Sequence, residues 1–187
     1  MTQITRVWRA AAVAALCFGW TMSAAAITVV PMSFKQIVDE ANVVVYGRVA
    51  DVRGQWTEDR QGIDSLVRLD TLQVIKGQAG PQVSFRTPGG EAGGRIHWLP
   101  GAPSFREGEL VLVFLSSGGA ALPTLVGLTQ GVFHAAPSAA TGAVMVMAPA
   151  GGSQQQSGPI QRGDARRRPL TIAAFAAEVR AAMEAGR

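Results

Sequence analysis

Residues 39–52 read Asp-Glu-Ala-Asn-Val-Val-Val-Tyr-Gly-Arg-Val-Ala-Asp-Val, and here a short helix hands over to a long strand. Val43, Val44, Val45, Val49 and Val52 are branched at Cβ, which restricts χ1 and favours an extended backbone on a pleated surface. Gly47 interrupts the run with no side chain to pack, so it marks a bulge, a sharp bend or the close approach of another backbone. A curving strand needs such a point. The stretch reads as the first strand of a small curled barrel.

Working outward, Pro31 disfavours helix at the residue before it, so residues 27–31 form an extended lead-in. Ser33 with Gln36 three residues on is a capping box, and Met32 and Ile37 are spaced as a hydrophobic staple, which predicts a helix over 34–41. Beyond the first strand, the polar residues 54–62 suit a hairpin loop with Trp56 folded back onto the barrel. Residues 65–75 form a second strand whose inward set, Val67 and Leu69, shifts phase to Leu72 and Val74, as a bulge would cause. The glycine and proline of 76–81 make a turn, and 82–87 alternate as a third strand.

Residues 88–94 are too glycine-rich for regular structure, and 95–99 suit a short strand. Residues 110–115 are apolar at every position, the pattern of a strand covered on both faces. Weaker strands follow at 122–128, 132–135 and 143–148. Residues 150–168 are Gly, Ser, Gln and Arg with little to bury, which reads as a flexible linker. A final helix over 169–186 has Thr171 as N-cap, Leu170 and Phe175 as a staple, and Ile172, Phe175, Val179 and Met183 along one face.

At the other end of the chain, residues 1–9 carry Arg6 and Arg9 and no acid, 10–20 are apolar, and Ser23-Ala24-Ala25-Ala26 are small. That is a secretory signal peptide with cleavage expected after Ala26, or else after Ala25, which gives a periplasmic or secreted protein with no membrane contact once processed. A membrane anchor would need about 20 apolar residues. Cys17, the only cysteine, leaves with the leader, so the mature chain has no disulfide, cysteinyl metal site or thiol nucleophile. The organisation is a leader at 1–26, a β domain at 27–149, a linker at 150–168 and a helix at 169–187, and the domain is of ordinary size for one core. The sequence pI of about 10.2 reflects arginine more than a strong field, because Arg6 and Arg9 are removed and the rest is nearly balanced.

The order helix, strand, long hairpin, strand ending Val74-Ile75-Lys76-Gly77, strand, Gly-rich loop resembles netrin-like domains, including the tissue inhibitors of metalloproteinases. The resemblance covers roughly residues 27–115. The Lys-Gly turn, the Gly-Gly loop and Pro103-x-Phe105-x-x-Gly108-Glu109 are similar to those of secreted bacterial proteins. It implies a mainly β, OB-like (netrin-like) curled five-stranded barrel. In the inhibitors the mature chain opens Cys-Thr-Cys-Val-Pro, and the first residue's α-amine and carbonyl chelate the target's zinc. Here the corresponding residues are Ile27, Thr28, Val29, Val30 and Pro31, matching at Thr28, Val30 and Pro31 with both cysteines replaced. The resemblance therefore implies these five residues, with Trp56 on the hairpin loop, as a partner-binding edge and an exported metallopeptidase as the partner.

Residue chemistry offers little for catalysis. His97 and His134 are the only histidines, they fall in different strands, and neither has a second ligand at metal spacing. No Gly-x-Ser-x-Gly elbow occurs. Gly89, Gly90, Gly93 and Gly94 are followed by a strand pattern instead of the lysine and helix of a phosphate loop. The arginines at 162 and 166–168 lie in the linker, and the strands carry few aromatics, so an oligonucleotide-binding barrel is disfavoured. The expectation is a non-enzymatic binding module with no catalytic residue, cofactor, resident metal or nucleic-acid partner. The alternative is an enzyme whose site is assembled from scattered carboxylates and histidines, for which Glu91, His97 or His134 would converge in a cleft.

Overall fold

The computed structural model describes residues 30–118, 122–147 and 169–185. The expected leader at 1–26 and linker at 150–168 lie outside the described residues. Helix α1 spans Phe34–Glu40, one residue short of the expected end, with Ala41 as its C-cap. Its capping box is complete: Gln36 N–H donates to Ser33 Oγ at 3.2 Å, and Ser33 N–H donates to Gln36 Oε1 at 2.7 Å. The strands are β1 Val43–Trp56, β2 Ile63–Lys76, β3 Gln82–Pro88, β4 Gly90–Ala92, β5 Arg95–His97, β6 Leu110–Ser116, β7 Thr124–Leu125, β8 Val132–Pro137, β9 Val144–Met147 and β10 Leu170–Thr171. A 3-10 turn at Leu128–Gly131 links β7 to β8, and helix α2 spans Ile172–Glu184.

Five strands close a ring. β1 lies between β2 and β6, β3 pairs with β2, and β7 joins β3 in parallel at Arg86–Thr124 while pairing antiparallel with β6 at Leu115–Leu125. This is the OB-like barrel expected from the sequence. Beyond the ring, β8, β9 and β10 extend the sheet outward from the Leu110 end of β6.

Because the sheet continues past the ring, β1 and β6 face two cores. Val45, Val49, Val111, Val113 and Leu115 point into the barrel with Val67, Leu69 and Phe85. The alternate residues Val44, Tyr46, Leu112 and Phe114 point outward, where α1 and α2 cover them with Ile37, Val38, Phe175 and Val179. That double burial explains why 110–115 is apolar throughout, since a strand with helices on one face and a barrel on the other has no solvent side. Phe175 meets Phe133 at 4.9 Å and Phe34 at 5.6 Å between ring centroids, in edge-to-face contacts that seat α2 on the outer core.

The pairing of β1 with β2 breaks register three times, leaving Ile75, Leu72 and Ala50 as extra residues. Bulges of this kind bend both strands enough to close the ring. A Cβ on Gly47 would stand 2.6 Å from the Asp70 carbonyl oxygen, so this glycine permits close backbone approach at the bend.

Several expectations need correction. Leu72 and Val74 do not continue the inward set: both are exposed, and the bulge turns Ile75 toward the outer core instead. The glycine-rich residues 88–94 are not irregular throughout, because Gly90–Ala92 pairs with Arg95–His97 across Gly93 and Gly94. Those two glycines have φ of 59° and 72°, the left-handed pair of a tight hairpin turn. Residues 98 and 99 lie outside β5, the 122–128 candidate shrinks to β7, and Leu170 and Thr171 pair with β9 before α2 begins.

Candidate functional site

The inward positions of β2 and β3 are apolar until they reach one mouth of the barrel, where Ser65 and Thr87 are paired across the two strands. Ser65 Oγ donates to the Gly89 carbonyl at 2.7 Å. The Thr87 hydroxyl, on a residue only 1% exposed, has no hydrogen-bond partner among the described residues. A buried polar atom in that state costs free energy unless something satisfies it. Val52 of β1 flanks it, and Phe105 stands edge-on to Phe85 with centroids 5.4 Å apart.

The β4–β5 hairpin overhangs this floor. It crosses β1 so closely that a Cβ on Gly54 would fall 1.8 Å from the Glu91 carbonyl oxygen, a distance no side chain allows. His97 Nδ1 accepts the Ile63 N–H at 3.1 Å and ties β5 back to the start of β2. Between hairpin, floor and the 98–105 loop lies a cleft of about 360 Å³, lined also by Glu91, Ile96, Trp98 and Leu99. Among the described residues, no lysine or arginine lines it. Its volume is within the range of small-ligand sites, about 300–1,000 Å³. Ile96 and Trp98 on its rim are 76% and 77% exposed.

Of the residues expected to form a binding edge, only Val30, Pro31 and Trp56 are among the described residues, and Trp56 stands apart from the other two. Ile27, Thr28 and Val29 lie outside the described residues, while Val30 and Pro31 are exposed beside the 3-10 turn. Gln130 of that turn accepts the Met32 N–H at 2.7 Å and donates to the Val30 carbonyl at 3.1 Å. Trp56 is at the opposite end of β1, 40% exposed and not tucked onto the barrel, with the Arg95 guanidinium 6.0 Å from its ring centroid. Its loop, residues 57–62, is braced by Asp59, which accepts from the Thr57 hydroxyl at 2.5 Å and the Gln61 N–H at 3.1 Å. These hydrogen bonds hold the Asp59 carboxyl below the usual aspartate range.

For the enzyme alternative, Glu91 and His97 both reach the cleft lining, but His134 lies on β8 between Val111 and Met147. Glu91 faces Ile96 across the hairpin whereas His97 faces Gly90, so the two side chains leave on opposite faces. Among the described residues, no three of His, Cys, Asp and Glu are grouped as metal ligands, and no helix is long and apolar enough to cross a membrane.

Sequence reasoning missed Ser65, Thr87 and Ile96. The signal was present: Ser65 is in phase with Val67 and Leu69, and Thr87 with Val83 and Phe85, so each is a polar residue in an otherwise apolar inward set. Comparison with protein-family models, with curated proteins and with solved structures finds no match for this chain.

Proposed function

We propose that this chain is an exported, non-enzymatic binding module that engages a protein through the mouth of its barrel. The observation that carries the reading is the pair Ile96 and Trp98, each more than three-quarters exposed on the rim of a cleft. Large apolar side chains that a fold leaves in water beside a cavity mark an interaction surface, and tryptophan is favoured at the centre of such surfaces. The module is tested by capture from the exported fraction with the full chain and with Ile96→Asp/Trp98→Asp. Both substitutions are on exposed side chains, so folding is retained, and a partner held by the first protein and released by the second supports the reading. Equal capture by both rejects the cleft rim as the contact.

A second reading makes the N-terminal lead-in a wedge against the metal of an exported metallopeptidase. It is favoured by the Gln130 clamp, which holds Val30 and Met32 without the cysteines found at the matching positions of netrin-like inhibitors. Ordering a segment before it binds reduces the entropy lost on binding. The processed chain is compared with a version bearing one extra residue before Ile27, each titrated against a secreted zinc peptidase. Inhibition by the first alone supports an amine-chelating role; no inhibition at micromolar excess removes it.

A further inference from the structure

Strand β9 runs Val144-Met145-Val146-Met147, and its alternating side chains meet different surroundings. Val144 and Val146 face the outer core beneath the helices. Met145 and Met147 therefore lie on the other face of the sheet, where Met147 is 43% exposed. Across the ladder, His134 of β8 stands directly opposite Met147, and Ala136 opposite Met145. One imidazole and two thioethers thus share a face. We propose that His134, Met145 and Met147 together bind one copper(I) ion. The site goes beyond the binding-module reading and uses none of the residues at the barrel mouth.

The register sets the spacing of the three donors. Directly opposed residues of an antiparallel pair have Cβ atoms about 4.5–5.5 Å apart, and diagonal ones are roughly 7–8 Å apart or somewhat less. His134 is opposed to Met147 and diagonal to Met145. Methionine is unbranched and rotates freely, so both sulfurs can swing toward the imidazole. With metal–ligand bonds of about 2.0–2.3 Å, an ion held above the ladder is within reach of all three.

The placement of the methionines needs an explanation that packing does not supply. A strand face turned away from a core ordinarily alternates to polar residues, and β9 carries methionine there instead. Met32 and Met183, by contrast, pack against the outer core, where a flexible apolar side chain fills gaps.

The donor set selects the metal. Thioether sulfur is a soft ligand that favours copper(I), and imidazole suits copper as well. A hard cation needs oxygen, and the oxygen-bearing neighbours are engaged. Glu109, just before β6, accepts the Arg106 N–H at 3.0 Å and pairs with its guanidinium at 3.9 Å. Thr171, opposite Met145 on β10, accepts the Ala174 N–H at 3.2 Å as the cap of α2.

The test titrates copper(I) without oxygen into the full chain in competition with a chromophoric copper(I) chelator. Cys17→Ser is present throughout, so that the only thiol does not compete. The expected result is one bound ion, with the Met145 and Met147 methyl resonances and the His134 ring resonances shifting together. Met145→Leu/Met147→Leu conserves volume and apolar character, so the fold is retained, which circular dichroism checks. This variant and His134→Gln should each lose more than about tenfold in affinity, the loss that even an outer-shell change can bring. Equal affinity of the leucine variant, or shifts confined to Met32 and Met183, overturns the site. Zinc(II) bound as tightly as copper(I) overturns the soft-cation assignment. Failure of the wild-type chain to withdraw copper(I) from the chelator overturns the proposal as a whole.

Discussion

Gln130 and Met32 are 98 residues apart in sequence, yet the Gln130 side-chain amide accepts the Met32 N–H at 2.7 Å while donating to the Val30 carbonyl. A side chain thus plays the part of a neighbouring strand for the lead-in, spanning Pro31, which has no N–H to offer. Gln130→Ala removes both bonds, and each is worth about 0.5–1.5 kcal/mol net, toward the lower end at a partly exposed site. The Met32 amide should lose its protection from hydrogen exchange while amides of β6 keep theirs. Gln130→Glu keeps the acceptor but loses the donor, and should protect Met32 better than alanine does.

Gly54→Ala should free the β4–β5 hairpin without unfolding the barrel. The added carbon falls inside the Glu91 carbonyl, so the hairpin must lift from β1. Overpacking of this kind costs roughly 1–3 kcal/mol, or more where only backbone is available to yield. Circular dichroism should stay β-rich as exchange at residues 90–97 accelerates; unaltered exchange there would mean the crossing is softer than the contact implies.

Phe175→Ala should cost about 3–5 kcal/mol, because it removes a buried ring from a cluster with Phe34, Phe114 and Phe133. Urea denaturation gives the value, and limited proteolysis should show α2 released at lower denaturant than the barrel strands.

Thr87→Val should leave stability unchanged or raise it by about 1 kcal/mol, since the hydroxyl it deletes is buried without a partner. A clear fall in the urea midpoint would mean that the hydroxyl has a partner in the free protein.

Two groups set opposite pH limits. Asp59 has a folded value below that of the unfolded carboxyl, so its support of the 57–62 loop is present above about pH 4 and fades as pH falls through the folded value. Tyr46, the only tyrosine, is raised above its ordinary value by burial and slightly lowered by Arg48. Its contribution is therefore full below about pH 10 and lost as pH rises through the folded value. Carboxyl NMR shifts report the first, and ultraviolet absorbance of phenolate formation reports the second without assignment.

Much of the local structure was legible because local chemistry fixes it. Ser33 and Gln36 announced a helix start that needs no tertiary partner, the valines at 43–45 announced a strand, and Gly47 announced a bend. Leu72 and Val74 misled because a bulge leaves a period-2 reading in the wrong phase until the paired register is known. Trp56 misled because apolar character says nothing about whether a covering layer exists.

By itself the sequence determined both helices and their caps, the strands β1, β2, β3 and β6 with the two-sided burial of β6, and the lack of cysteine in the described chain, since each follows from side-chain shape and spacing within a few residues. Only the tertiary structure decided that Ser65 and Thr87 meet at a barrel mouth, that a glycine-rich stretch folds as a hairpin over them, and that Gln130 holds Val30 and Met32. Those contacts join residues tens of positions apart, and ring closure, which depends on bulges and on β7 reaching β3, has no signature within any single segment.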